Sequence, residues 1–251
     1  MLFVATALAA SVDCSAPPAD DTPVGWAELL AECVHDNSYA SDPEISWTPP
    51  MSARVKCSSL MSRVYGKWAT GEDNNRDLAE AMCDVSREGG CPGTPLAYVW
   101  VGMIEQEIEL EGHGSWSRVQ PSTAQRGDLV AMRYVCDWDW VGGTWKDVCR
   151  EDESRDCSAA PDPVCERGVT GHVGLLRTAP VQLSGNAPVQ TWEVEIVDAS
   201  SSNDGVGYRT LRILVSDGEV VGWSYAHKPL EIRTEPLVLG RWKPEAGQPS
   251  R

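Results

Sequence analysis

The chain has 251 residues, 42% of them hydrophobic, with 21 Lys and Arg against 37 Asp and Glu and a net charge of −16. That is enough apolar material for one sizeable core, and so acidic a surface repels nucleic acid and anionic membranes, which excludes both as partners. Nine cysteines without a CxxC pair or zinc-finger spacing argue against a structural zinc site and for disulfides made in an oxidising compartment.

Met1 to Ala10 is apolar and leads into small residues, without a basic n-region, and reads as part of a secretory signal. Export to the periplasm or the cell exterior is therefore expected. Cys14 is the residue that would carry a lipid anchor, although Asp13 directly before it departs from the lipidation pattern. No run is long enough to span a bilayer. Residues 1–24 are expected to be the signal-like segment and a flexible tether rich in Pro, Ala and Asp, followed by a domain over 25–240 and a tail over 241–251.

Trp26, Leu29, Leu30, Cys33 and Val34 recur at helical spacing and predict a first helix. Pro49 and Pro50 keep the segment from Ile45 from being helical. Leu60, Met61, Val64 and Tyr65 share one face of a short helix that begins at Cys57 and that Gly66 is expected to end. Asn75 to Glu88 reads as another helix, stopped by Gly89-Gly90, with Cys83 and Cys91 near enough to staple the junction. Thr94-Pro95 caps a third helix through Val99, Trp100, Met103 and Ile104.

From Gly127 the pattern turns to strands. Asp128 to Met132 and His172 to Leu176 are short apolar runs, and Trp192, Val194 and Ile196 alternate with glutamates up to Asp198. Leu211 to Val215, Asp217-Gly218 and Val220 to Tyr225 predict a hairpin. Helices followed by strands predict an α+β domain with an antiparallel sheet. The segment 136–165 reads as an insertion with four cysteines and no apolar run, so two disulfides among Cys136, Cys149, Cys157 and Cys165 are expected to hold it.

A helix N-terminus favours a thiolate, because its free N–H groups and dipole stabilise negative charge. A histidine on a neighbouring strand can hold that thiolate as an ion pair and return a proton to a leaving group. Cys57 and His172 therefore read as nucleophile and base, against the plainer reading of a structural cysteine and a core histidine. Asp128 reads as a turn residue bonding backbone N–H groups. His35, His113 and His227 show no partner pattern, the insertion shows no spaced calcium loop, and neither metal nor cofactor is expected.

Three segments in order, Lys56-Cys57-Ser58-Ser59 running on to Val64-Tyr65, Arg126-Gly127-Asp128-Leu129-Val130 and Gly171-His172-Val173-Gly174, resemble the NlpC family of papain-like cysteine peptidases. The resemblance covers roughly residues 45 to 230. Lys56 stands where the family has Asp, Ser59 where it has Gly, and the Tyr-x-Gly-Gly segment that normally precedes the nucleophile is absent. The resemblance implies a papain-like α+β fold with N-terminal helices packed on an antiparallel sheet. It implies a hydrolase that works through a thioester on an amide of a peptidoglycan peptide, next to a D-amino acid.

It further implies that Asp198 is the third polar residue, where a carboxylate would orient the imidazole; a turn-capping Asp198 is the competing reading. Trp47 and Ser58 are the implied substrate contacts, and the Cys57 N–H the first oxyanion donor. Three other readings stay open. One is a related acyltransferase or effector hydrolase on a non-wall substrate. Another is a non-catalytic binding module, which a disulfide at Cys57 would favour. The last is a disulfide-rich interaction protein. Oligomeric state is not legible in the sequence.

Overall fold

Thr22 opens helix α1 (Pro23–Cys33): its hydroxyl accepts the Gly25 N–H at 3.1 Å, and Pro23 supplies the preset first turn. The computed structural model describes residues 12–40, 43–72, 97–106, 115–133, 138–141, 144–147, 171–184, 188–234 and 236–243. Within them α1 is followed by a small sheet of β1 (Val34–Ser38), β2 (Glu44–Ser46) and β3 (Met51–Arg54), then by α2 (Cys57–Thr70) and α3 (Ala97–Ile104). The helix expected over Asn75 to Glu88, the Thr94-Pro95 cap, and Cys83, Cys91, Cys136, Cys149, Cys157 and Cys165 lie outside the described residues.

The main sheet is built from β4 (Ser115–Val119), β5 (Leu129–Arg133), β8 (Gly171–Leu176), β9 (Val181–Ser184), β10 (Val189–Ser200), β11 (Gly205–Ser216), β12 (Glu219–Tyr225) and β13 (Leu237–Lys243). Its order is β12-β11-β10-β8-β5-β13-β4, with β9 paired to β10, and every ladder in it is antiparallel. The α+β class and the antiparallel sheet are as expected. So is the β11–β12 hairpin, whose turn residues Asp217 and Gly218 both have positive φ, 52° and 83°.

Both faces of the sheet are covered, which explains runs such as Leu129-Val130-Ala131-Met132 that are apolar without alternation. Leu129, Ala131, Val173, Leu175, Val197 and Ala199 pack with the helices in one core. Val130, Met132, Leu176, Val194, Ile196, Leu211 and Ile213 fill a second on the opposite face. Leu60, Met61 and Val64 of α2 are fully buried, each contributing about 1.5–3 kcal/mol relative to exposure. Several of the chain's eleven tryptophans, which stand beside a single phenylalanine, have a structural use. Tyr65 of α2, Trp100 of α3 and Trp116 of β4 meet at 5.5–6.0 Å, and Trp68 meets Trp242 of β13 edge-on at 5.0 Å.

Three expectations change. First, α2 runs through Gly66 and ends at Gly71, whose φ of 76° puts its N–H on the Lys67 carbonyl at 2.8 Å. Gly66 is buried inside the helix, where packing outweighs its poor propensity. Second, the insertion contains a strand pair, β6 (Trp138–Val141) with β7 (Thr144–Asp147). The alternating Trp138-Asp139-Trp140 flanking Gly142-Gly143 is its signal in the sequence. Third, Cys14 is bonded to Cys33, so the expected tether is stapled to the end of α1. The bridge occupies the sulfur that a lipid anchor would use, and such an anchor on Cys14 is incompatible with it. No helix among the described residues is long and apolar enough to cross a membrane. Strand β13 also carries the domain past residue 240, to Lys243.

Candidate active site

Cys57 is the first residue of α2, directly after the extended Lys56. The hydroxyl of Ser59 accepts the Lys56 N–H at 2.9 Å and donates to the Lys56 carbonyl at 3.0 Å, closing the first turn from within. Ser59, which replaces the glycine of the resembled family, thus turns its polar atom onto the backbone. The Cys57 N–H belongs to the first turn, whose donors have no intrahelical acceptor.

Strand β8 brings His172 to this helix end. Two glycines set the approach. A Cβ on Gly171 would lie 2.0 Å from the Met132 carbonyl oxygen, so only glycine fits there; its own carbonyl accepts the Cys57 thiol at 3.9 Å. A Cβ on Gly174 would lie 3.1 Å from the Asp198 Cβ and 3.0 Å from the Val197 carbonyl oxygen. Gly174 pairs with Asp198 across the β8–β10 ladder, so His172, two residues earlier on the same face, stands diagonal to that carboxylate.

His172 Nε2 donates to Asp198 Oδ2 at 2.6 Å, leaving Nδ1 as the nitrogen available to Cys57. Cys57 and His172 are each 6% exposed and Asp198 is fully buried. Burial alone would push the Cys57 thiol up. The His172 imidazolium, its hydrogen bond and the Val173 N–H outweigh this and hold the thiol below its ordinary value. Burial disfavours the His172 imidazolium, but Asp198 and the Cys57 thiolate outweigh that and raise its pKa. Both shifts favour a thiolate–imidazolium pair.

The residues expected at the site divide. Cys57, His172 and Asp198 come together, and Cys57 is a free thiol. Ser58 is buried at the second position of α2. Trp47 is 6% exposed and packs edge-on against Trp26 at 5.6 Å, a core position that presents little surface to a substrate. Asp128 is structural, as expected: it accepts the Gln125 N–H and both prongs of Arg241, each at 2.8 Å. His35 and His227 are exposed, the latter stacked on Tyr225, and His113 lies outside the described residues.

Arg209 was not legible as a site residue from motifs. Its Nε donates to Asp198 Oδ2 at 2.7 Å, its Nη2 bonds the same oxygen, and Nη2 also touches His172 Nε2. Its guanidinium lies 4.5 Å from the centre of the Tyr225 ring. The one available signal is register: Arg209 falls on the inward face of β11, in line with Leu211, Ile213 and Val215. Tyr39, just after β1 and 37% exposed, sits in the field of Cys57, Arg209, Asp198 and Tyr225, and partial desolvation together with the Cys57 charge raises its phenol. Comparison with family models, with curated proteins and with solved structures finds no match.

Proposed function

We propose that this protein is a cysteine hydrolase that cleaves an amide through a thioester, with Cys57 as nucleophile, His172 as acid and base, and Asp198 as the residue that orients His172. The observation that carries the reading is the free Cys57 at a helix start, beside a histidine whose far nitrogen is held by a buried carboxylate at 2.6 Å. The NlpC resemblance of the three segments adds the papain-like fold and the substrate class, a peptidoglycan peptide with a D-amino acid next to the scissile bond.

In the first half-reaction the Cys57 thiolate attacks the carbonyl carbon, and the carbonyl electron pair moves onto oxygen, facing the Cys57 N–H. The tetrahedral species collapses to the thioester and expels the amine, which takes the His172 proton. Water then gives a proton to His172 as it attacks the thioester. Collapse frees a carboxylic acid, and its proton leaves the carboxylate for solvent, restoring the thiolate–imidazolium pair.

Iodoacetamide added to native protein near neutral pH tests the nucleophile. The expected result is rapid alkylation mapped to Cys57, with release of amine from a peptidoglycan-derived peptide that is lost in Cys57→Ala. A native Cys57 that reacts no faster than a free thiol in a denatured chain would refute the reading.

A further inference from the structure

We infer that Arg209 is a positioning residue of this site: it clamps the Asp198 carboxylate beside His172 and, as a fixed cation, sets the pH window in which the thiolate–imidazolium pair exists. The inference rests on the reading of Cys57 and His172 as a catalytic pair and assigns a role that the three-residue reading lacks.

The geometry is that of a clamp. Arg209 and Asp198 sit on adjacent strands, with Arg209 opposite Ile196 and Asp198 opposite Gly207. Gly207 carries no side chain that could separate them. The Arg209 side chain is 9% exposed and that of Asp198 fully buried, so neither charge is answered by water. Both guanidinium contacts and the His172 contact fall on Oδ2, while Oδ1 is buried without a partner. Three donors, Nε and Nη2 of Arg209 and Nε2 of His172, converge on that one oxygen and pin it, and the guanidinium is itself seated on the Tyr225 ring.

Charge follows from the same placement. The groups around the His172 ring are Cys57 from α2, Asp198 from β10, Arg209 from β11 and Tyr225 from β12, and the phenol of Tyr39 lies in the field of Cys57, Asp198, Arg209 and Tyr225. Arg209 is the permanent cation among them. It opposes the imidazolium and favours the thiolate, so it lowers both limbs of the pair's pH dependence. A cation in contact with the His172 ring moves that group's titration by about 1–3 units.

The test is the pH profile of Cys57 alkylation, with thiolate ultraviolet absorbance as a second readout. In Arg209→Gln, which keeps a donor for Oδ2 but no charge, both limbs should move upward by about one unit; Arg209→Lys should return them toward the wild-type positions. If Arg209→Gln fails to fold, Asp198→Asn/Arg209→Gln is compared with Asp198→Asn alone, and the double variant should titrate about one unit higher. Unchanged limbs in a folded Arg209→Gln, or equal limbs in the single and double Asp198 variants, would overturn the inference. Those results would leave a reactive wild-type Cys57 intact. An unreactive wild-type Cys57 would instead remove the underlying reading.

Discussion

Asp198→Asn separates the chemistry of the site from its charge balance. In a triad considered alone, Asn would be a quiet substitution for stability, since it keeps the size and one acceptor oxygen. The structure predicts otherwise, because Asp198 is also the counter-ion of Arg209, and the two side chains are 0% and 9% exposed. Removing one partner of a buried ion pair costs about 3–5 kcal/mol. The Asn carbonyl still accepts one guanidinium bond, which places the expected loss near the lower end, about 3 kcal/mol. For a chain of this size a Tm falls by about 2–4 °C per kcal/mol, so a drop of about 6–12 °C is expected. Reactivity should fall as well, by as much as about 10⁴ in turnover where an orienting carboxylate is lost. Calorimetry at neutral pH, alongside Asp198→Asn/Arg209→Gln, decides the matter. The double variant removes both charges and should regain most of the lost Tm. A single variant that melts with the wild type would show that Arg209 is not paired with Asp198 in the folded protein.

Two further outcomes follow from the same geometry. Folded Cys57 titrates below its ordinary 9.0 and folded His172 is pushed up to about 10, so wherever the folded site is a thiolate–imidazolium pair and the unfolded chain a thiol with a neutral imidazole, each holds one proton and the pair adds no pH slope to stability. In Cys57→Ala the histidine loses the thiolate's contribution but keeps the Asp198 carboxylate that raises it. The folded state then holds the extra proton above 6.5, and stability should decline with rising pH, by up to about 1.4 kcal/mol per unit, relative to the wild type. Urea unfolding at neutral and mildly alkaline pH measures this, and parallel slopes in the two proteins would contradict it. Gly174→Ala places a methyl 3.1 Å from the Asp198 Cβ and 3.0 Å from the Val197 carbonyl oxygen, and should displace Asp198 from His172. Cys57 alkylation should slow in a protein that still folds; an unaltered rate would mean that Asp198 can shift without loosening its hold on His172.

Much of this was legible in residues whose local physics dominates. The β11–β12 hairpin is written in Asp217-Gly218 between alternating apolar residues, and α1 in the helical spacing of Trp26, Leu29 and Leu30, though its Thr22 and Pro23 cap falls within the segment expected to be tether. The Cys57 and His172 placements follow from an apolar helix and an apolar strand that must bury their faces. What was missed depends on distant partners. Nothing near Gly66 reveals that α2 is buried from Cys57 through Gly66 and continues to Gly71. The Cys14–Cys33 bridge, 19 residues apart, needs the turn into α1 to bring the sulfurs together. Strands β4 and β13 were passed over because Ser115–Val119 and Leu237–Lys243 become strands by pairing with each other and with β5. Trp47 looked available as an aromatic wall, yet its surface is taken by Trp26.

Arg209 and Asp198 imply one another. A thiolate, an imidazolium and a carboxylate together leave one uncompensated negative charge in a site whose members are nearly all buried, and an unpaired buried charge is costly. The guanidinium on β11 brings the set to neutrality while leaving His172 its bond to Oδ2. A neutral orienting residue at position 198 would need no cation and would strand Arg209 between His172 and Tyr225. The carboxylate and the arginine are therefore one device spread over β10 and β11, and replacing either alone should cost more stability than replacing both. This is also why a motif search centred on Cys57 and His172 finds the nucleophile and its base but not the charge that steadies them. Arg209 carries no local signature beyond its inward register on β11, and its meaning appears only when β10 is laid beside it.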